Sequence, residues 1–167
     1  MSESESRPVV VGVDGSAAAQ AALRWAVEDA RRRGCRVDAI SAWHSDRGMV
    51  IGPMPAEVGM RLSPENLRAE QQSMLDQAVE EFDGVEIRRI LFEGDPRTAL
   101  AEASTSAELL VVGNRGHGPI IEAILGSVSS HCVHHASCPV VVIREAKAAH
   151  DDPLPEPAVP LTPGPLL

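Results

Sequence analysis

Residues 109–130 read Leu-Leu-Val-Val-Gly-Asn-Arg-Gly-His-Gly-Pro-Ile-Ile-Glu-Ala-Ile-Leu-Gly-Ser-Val-Ser-Ser. Leu109–Val112 is a short, wholly apolar run, the mark of a strand covered on both faces of a parallel sheet, and it enters Gly113 directly. Gly113, Gly116 and Gly126-Ser127 follow with the spacing G-x2-G-x9-G-S. A glycine where a strand ends lets a ligand approach the main chain closely, and Gly116 and Gly118 permit a turn whose N–H groups converge on an anion. A helix opening at Ser127 would add unpaired N–H groups and a positive dipole end. Ser127 and Ser129 add hydroxyl donors, and Arg115 is the nearest side-chain cation. Glycines that merely shape a loop, with Ser127 an ordinary cap, are the plainer alternative. A strand before and a helix after favour phosphate.

The rest of the chain alternates strands and helices around this stretch. Val9–Val13 is a second buried apolar run, broken by Asp14-Gly15-Ser16. Ser16 suits an N-cap, because Ala19, Ala22, Leu23, Ala26, Val27 and Ala30 recur at helical steps behind it. Arg31, Arg32, Arg33 and Gly34 suit that helix's C-terminal end. A second strand is predicted over Arg36–Trp43. The prolines and glycines from Gly48 to Gly59 predict no regular structure over 44–62. Ser63-Pro64-Glu65 restarts a helix with Leu67, Met74, Leu75, Ala78 and Phe82 inward and Gly84 as its stop. A strand over Val85–Phe92, a helix from Asp95-Pro96 to about Ser104, the strand ending at Gly113, a helix from Ser127 and a last strand over Val140–Ile143 complete the order. Strands alternating with helices imply an α/β, three-layer, Rossmann-like domain with a five-stranded parallel sheet.

Composition narrows the function. The net charge is −9, and no basic stripe with interleaved aromatics occurs, so nucleic acid is not an expected partner. No apolar run reaches membrane-span length, and the acidic Met1–Arg7 segment lacks the features of a signal peptide. Cys35, Cys132 and Cys138 fit neither a disulfide framework nor a zinc knuckle, which agrees with a reducing cytoplasm. Lys147 is the sole lysine and lies beyond the last apolar run, so no core lysine is available for phosphate binding or covalent catalysis. Amides would have to take that role. Residual triphosphate charge would fall to Mg²⁺ held mainly by the phosphates and water. Residues 1–6 and the proline-rich 146–167 are expected to be disordered tails around a domain spanning 7–145.

The sequence closely resembles the universal stress protein family in its ATP-binding branch. The resemblance runs over about residues 7–145 and rests on Val-Gly-Val-Asp-Gly-Ser at 11–16, Ala42-Trp43, the glycine loop, and His134-His135-Ala136-Ser137-Cys138-Pro139 with Val140–Arg144 after it. It implies strand order 3-2-1-4-5, with a ligand crevice between the first and fourth strands. By resemblance, Gly12, Val13 and Asp14 line the adenosine side, and Ala42 meets adenine through its backbone. Gly113 and Gly116 contact ribose and phosphates, with Arg115 nearby, and Gly126, Ser127, Val128 and Ser129 hold the phosphate tail. The resemblance also implies a homodimer paired through Val140–Ile143.

The expected function is an ATP-binding stress or signalling protein in which occupancy alters conformation or dimerisation and hydrolysis is slow or absent. Two other readings stay open: an ATPase or nucleotidyl-transfer enzyme using Asp14 or His117, and a cyclic AMP binder. No Ser-His-Asp set assembles from the sequence. His131, His134, His135 and Cys138 share one helical face at metal-ligand steps, but Pro139 ends that helix and no carboxylate joins them, so packing and solvation are the favoured roles. Cys132 reads as a small buried residue.

Overall fold

The computed structural model describes residues 6–45, 55–114 and 125–145. The predicted tails, apart from Ser6, and the loop residues Arg115, Gly116 and His117 lie outside that set. In chain order the elements are β1 (Val9–Gly12), α1 (Ala17–Arg33), β2 (Val37–Trp43), α2 (Ala56–Arg61), α3 (Pro64–Glu80), β3 (Ile87–Glu93), α4 (Pro96–Ser104), β4 (Leu109–Gly113), α5 (Ser127–His135) and β5 (Val140–Ile143). All strand pairs are parallel, in the order β3-β2-β1-β4-β5. This is the five-stranded Rossmann-like sheet expected from the sequence.

The apolar strands are continuous because both sheet faces are covered. Val9 and Val11 of β1 join Val111 of β4 beneath α1 and α3, where Ala22, Leu23, Ala26, Val27, Leu75 and Val79 are buried. The alternate residues Val10, Leu110 and Val112 turn to the other face and pack with Ile40 of β2, Ala99 and Leu100 of α4, and Cys132 of α5. A strand's two-residue period thus splits one apolar run between two cores.

Local signals set the helix ends. Ser16 accepts a hydrogen bond from Ala19 N at 3.2 Å, and Gly34 closes α1 in the left-handed region with φ 66°. Arg33 donates to the buried Asp29 one turn back at 2.5 Å. Ser63 and Asp95 cap α3 and α4 in the same way, each followed by a proline at the first helical position.

The expectation of no regular structure over 44–62 is corrected at its end, where α2 occupies Ala56–Arg61. Pro55 stands just outside at φ −56°, where its missing N–H removes no helical bond, and Glu57 and Arg61 complement the helix dipole. Gly59 alone costs about 1 kcal/mol, too little to dissolve the turn. β3 starts at Ile87 rather than Val85. α3 ends at Glu80 with Glu81 as its C-cap, so Phe82 and the expected stop at Gly84 lie past the helix, and its inward face also includes Val79, buried where Met74 and Ala78 are only partly so.

Candidate functional site

The chain leaves β1 toward α1 on one face of the sheet and leaves β4 toward α5 on the other. Between the carboxyl ends of these adjacent strands a crevice must open, and this is where open α/β sheets hold ligands. An apolar cavity of about 110 Å³ lies beside it, lined by Gly12, Val13, Asp14, Ile40, Ala42, Pro96, Leu100 and Val128. Its floor is the end of β1 and β2, and its walls are α4 and the first turn of α5. Larger hollows of about 380 and 530 Å³ occur around Cys35 and against Arg89, but both are open and away from the switch point.

The β1 exit is fixed by short-range bonds. Val13 N donates to Ile40 O at 2.8 Å, carrying the main chain along β2 beyond the strand's last residue. Asp14 Oδ1 then accepts from Ser16 N at 2.9 Å and from Ser16 Oγ at 2.5 Å. Gly15 between them has φ 80°, a backbone state a side chain would strain. Asp14 is thereby held at the cavity rim.

Two glycines of the predicted site do different work. A Cβ on Gly12 would meet Leu100 Cδ1 at 3.1 Å, so Gly12 leaves room at the α4 wall of the cavity. A Cβ on Gly113 would instead stand 2.8 Å from the carbonyl carbon of Ala18 and 2.9 Å from Ala19 N. Gly113 is therefore bare because the first turn of α1 crosses it. A ligand was expected to approach Gly113 closely, and on the side a Cβ would occupy the close neighbour is helix backbone.

The two ends of the glycine loop meet. Asn114 O accepts from Gly126 N at 2.8 Å and from Ser129 Oγ at 3.2 Å, and Asn114 N donates to Ile143 O at 2.8 Å. Ser129 Oγ also lies 3.0 Å from Gly126 O, and the residue is 2% exposed. Its hydroxyl proton is directed at main-chain carbonyls, so Ser129 pins the loop ends together rather than offering a free hydroxyl donor. Gly126 is the N-cap of α5 with no side-chain bond, and Ser127 is the first helical residue. The first intrahelical bond is Ser130 N to Gly126 O at 2.9 Å. Among the described residues nothing accepts from the amides of Ser127, Val128 and Ser129, as the geometry of a helix start requires. Val128 belongs to both features, its side chain lining the cavity and its N–H lying in this row.

Sequence reasoning missed Ile40, Pro96 and Leu100. Ile40 was legible as the residue two before Ala42 on the same strand face, whereas Pro96 and Leu100 carry no local mark. Which helix faces the crevice needed the tertiary fold. At the α4 end, a side-chain hydrogen bond from Arg97 holds the Asp95 carboxyl down to about 2. Burial pushes the Cys132 thiol up to about 11, with Cys138 adding to the effect. Among the described residues no group of three or more His, Cys, Asp or Glu side chains is placed to share a metal ion. No helix among them is long and apolar enough to cross a membrane.

A five-stranded parallel sheet with a topological switch point between β1 and β4 defines a doubly wound α/β domain. The universal stress protein family model matches residues 5–144, and the chain belongs to that family. A universal stress protein of Mycolicibacterium smegmatis is 35% identical over 155 residues, covering 88% of this chain and 51% of that protein. The chain thus spans about half the length of the curated relatives it matches. Among solved structures, a universal stress protein from Archaeoglobus fulgidus superposes with TM-score 0.63 at 28% identity, covering 82% of this chain and 98% of that one. The universal stress protein from the same organism in complex with dAMP gives TM-score 0.52 at 25% identity, covering 83% and 98%.

Proposed function

We propose that this domain binds ATP, with the adenine in the apolar cavity and the phosphates on the first turn of α5. The observation that carries the reading is the contiguity of the two at Val128. An apolar slot takes a flat base, the main chain at Ala42 offers it a hydrogen-bonding edge, and the neighbouring row of amides, which have no acceptor among the described residues, takes charged oxygens. Each amide bond to a charged acceptor contributes about 1.5–3 kcal/mol, so a few of them replace the missing lysine. Gly12, Val13, Asp14 and Ala42 form the nucleoside side. Gly126, Ser127, Val128 and Ser129 form the phosphate side through their backbone, and Gly113 and Ser129 hold the two sides in register. Arg115 and Gly116, in the loop between, add phosphate contacts, and Mg²⁺ rides on the phosphates. The dAMP-bound relative supports an adenine nucleotide as the ligand class.

The domain acts by occupancy, as a stress or signalling protein of the cytoplasm, and hydrolyses ATP slowly or not at all. Asp14, the carboxylate at the rim, has Oδ1 engaged by Ser16 and serves as a positioning group. β5 is an edge strand whose four apolar residues are each half-buried, which supports pairing of two copies through Val140–Ile143. Calorimetry of the untagged protein with ATP and Mg²⁺, AMP and cyclic AMP tests the ligand. ATP is expected to bind most tightly, and cyclic AMP binding as well as ATP would remove the case for a phosphate tail on α5. ATP turnover well above background and lost in Asp14→Ala or His117→Ala would make the protein an enzyme instead.

A further inference from the structure

The buried face of α3 carries one polar residue. Leu67, Gln71, Leu75 and Val79 follow one another at steps of four, and Gln71 alone among them is not apolar. It is half-buried, and its Nε2 donates to Ser41 Oγ of β2 at 2.7 Å. Ser41 is 1% exposed and stands between Ile40 and Ala42, both of which line the cavity from the other face of the sheet. β1 ends at Gly12, paired with Ile40, while β2 runs on to Trp43 with β3 beside it. Val13 N donates to Ile40 O at 2.8 Å on the β1 flank, and Gly94 N donates to Trp43 O at 2.8 Å on the β3 flank. Main-chain groups along a strand point to alternate flanks, so the N–H and C=O of Ala42 face the flank that β1 has left.

We propose, resting on the ATP reading above, that Gln71 is a positioning residue for base recognition: through Ser41 it holds the one-flanked end of β2 so that the Ala42 main chain meets the purine edge. Beyond Ile40 the strand has lost its ladder on one side, and the Gln71 bond ties it to α3 one residue from Ala42. A C=O beside an N–H matches the 6-amino group and N1 of adenine. It mismatches a 6-oxo purine, whose N1 carries a hydrogen, and a site built for one pattern rejects the other. A strand end free to shift accommodates either pattern, so the tie acts on base preference rather than on the phosphates. Packing alone would be served as well by two apolar side chains of the same shape.

Calorimetry of the untagged full chain with ATP and with inosine triphosphate, each with Mg²⁺, tests this in the parent, Gln71→Leu, Ser41→Ala and the double variant. The parent is expected to prefer ATP, and each variant to lose about three- to tenfold of that preference, with inosine triphosphate affinity near the parent's. The double variant removes both ends of the bond and leaves neither partner buried and unpaired, so it unfolds at the parental urea concentration or above. Its loss of preference matches that of a single variant rather than the two combined. A loss of stability alone would weaken both nucleotides alike. A double variant with the parental preference, equal falls for both nucleotides, or a parent that binds the two equally would each overturn the role of Gln71 and leave the ATP reading standing. A parent that binds neither would overturn the ATP reading, and the role of Gln71 with it.

Discussion

Replacing Gly113 with alanine separates a packing role from a ligand role. The new Cβ would lie 2.8 and 2.9 Å from main-chain atoms of Ala18 and Ala19, and 3.0 Å from Ala18 Cβ. Carbon at ordinary contact needs about 3.5 Å or more, so β4 and α1 must part by about half an ångström. Helix backbone cannot rotate away as a side-chain tip does, and the helix also carries the Ser16 cap and the Asp14 turn. Overpacking of this kind costs about 1–3 kcal/mol, which for a domain of this size lowers Tm by roughly 3–10 °C. Urea unfolding followed by circular dichroism measures it. Nucleotide affinity should fall together with stability, because the turn that holds Asp14 moves with α1. Gly113→Ala with parental stability would refute the assigned contact, and parental stability with lost affinity would return Gly113 to the ligand.

Gly12→Ala should do the reverse. Its Cβ meets the flexible end of Leu100 at 3.1 Å rather than backbone, so stability changes by less than about 1 kcal/mol, while a methyl in the base cavity weakens adenine nucleotides by about tenfold; calorimetry and urea titration read both. Asp95→Ala removes the α4 cap and should cost about 1 kcal/mol at pH 7. Because the folded-state value of Asp95, about 2, lies below its ordinary 3.8, its contribution is full above the ordinary value and is lost as pH falls through about 2. The side chain is 35% exposed, so screening holds the ionic part to a fraction of that shift. Paired urea titrations from pH 7 to pH 3 should show the gap narrowing. Cys132, buried and pushed up to about 11, should resist iodoacetamide in the native protein at pH 8 while half-exposed Cys35 reacts, and mass spectrometry of the labelled chain checks the order.

The sheet was legible because its signals are local and redundant. The first strand, expected over Val9–Val13, ends one residue earlier at Gly12, yet Val13 still follows β2 through its bond to Ile40 O. The helix caps at Ser16, Ser63 and Asp95 could be named from the sequence because each lies within three residues of the amide it serves. The site was legible in part. Glycine spacing located the loop and the bare start of α5, but spacing does not say what faces a missing side chain. Gly12 faces Leu100, far along the chain, and Gly113 faces Ala18, and both follow from how α4 and α1 cross the sheet. Ser129 likewise reads as a donor in one dimension and becomes a pin once Asn114 O stands beside it. Residues of α4 escaped notice because nothing in Pro96–Ser104 marks its inward face as a ligand wall rather than ordinary core.

Proline at residue 127 interrogates the amide row with little disturbance to the helix. A proline is tolerated at the first helical position, where no intrahelical bond uses the N–H. Gly126 already has φ −61° and ψ 164°, the extended state that a following proline demands. Ser127→Pro therefore deletes one donor, and Ser127→Ala controls for the hydroxyl. If α5 seats the phosphates through its backbone, calorimetry should show Ser127→Pro binding ATP with Mg²⁺ about tenfold or more weakly than Ser127→Ala, with the two unfolding at similar urea concentrations. Equal affinity in the two variants would contradict the account at its centre.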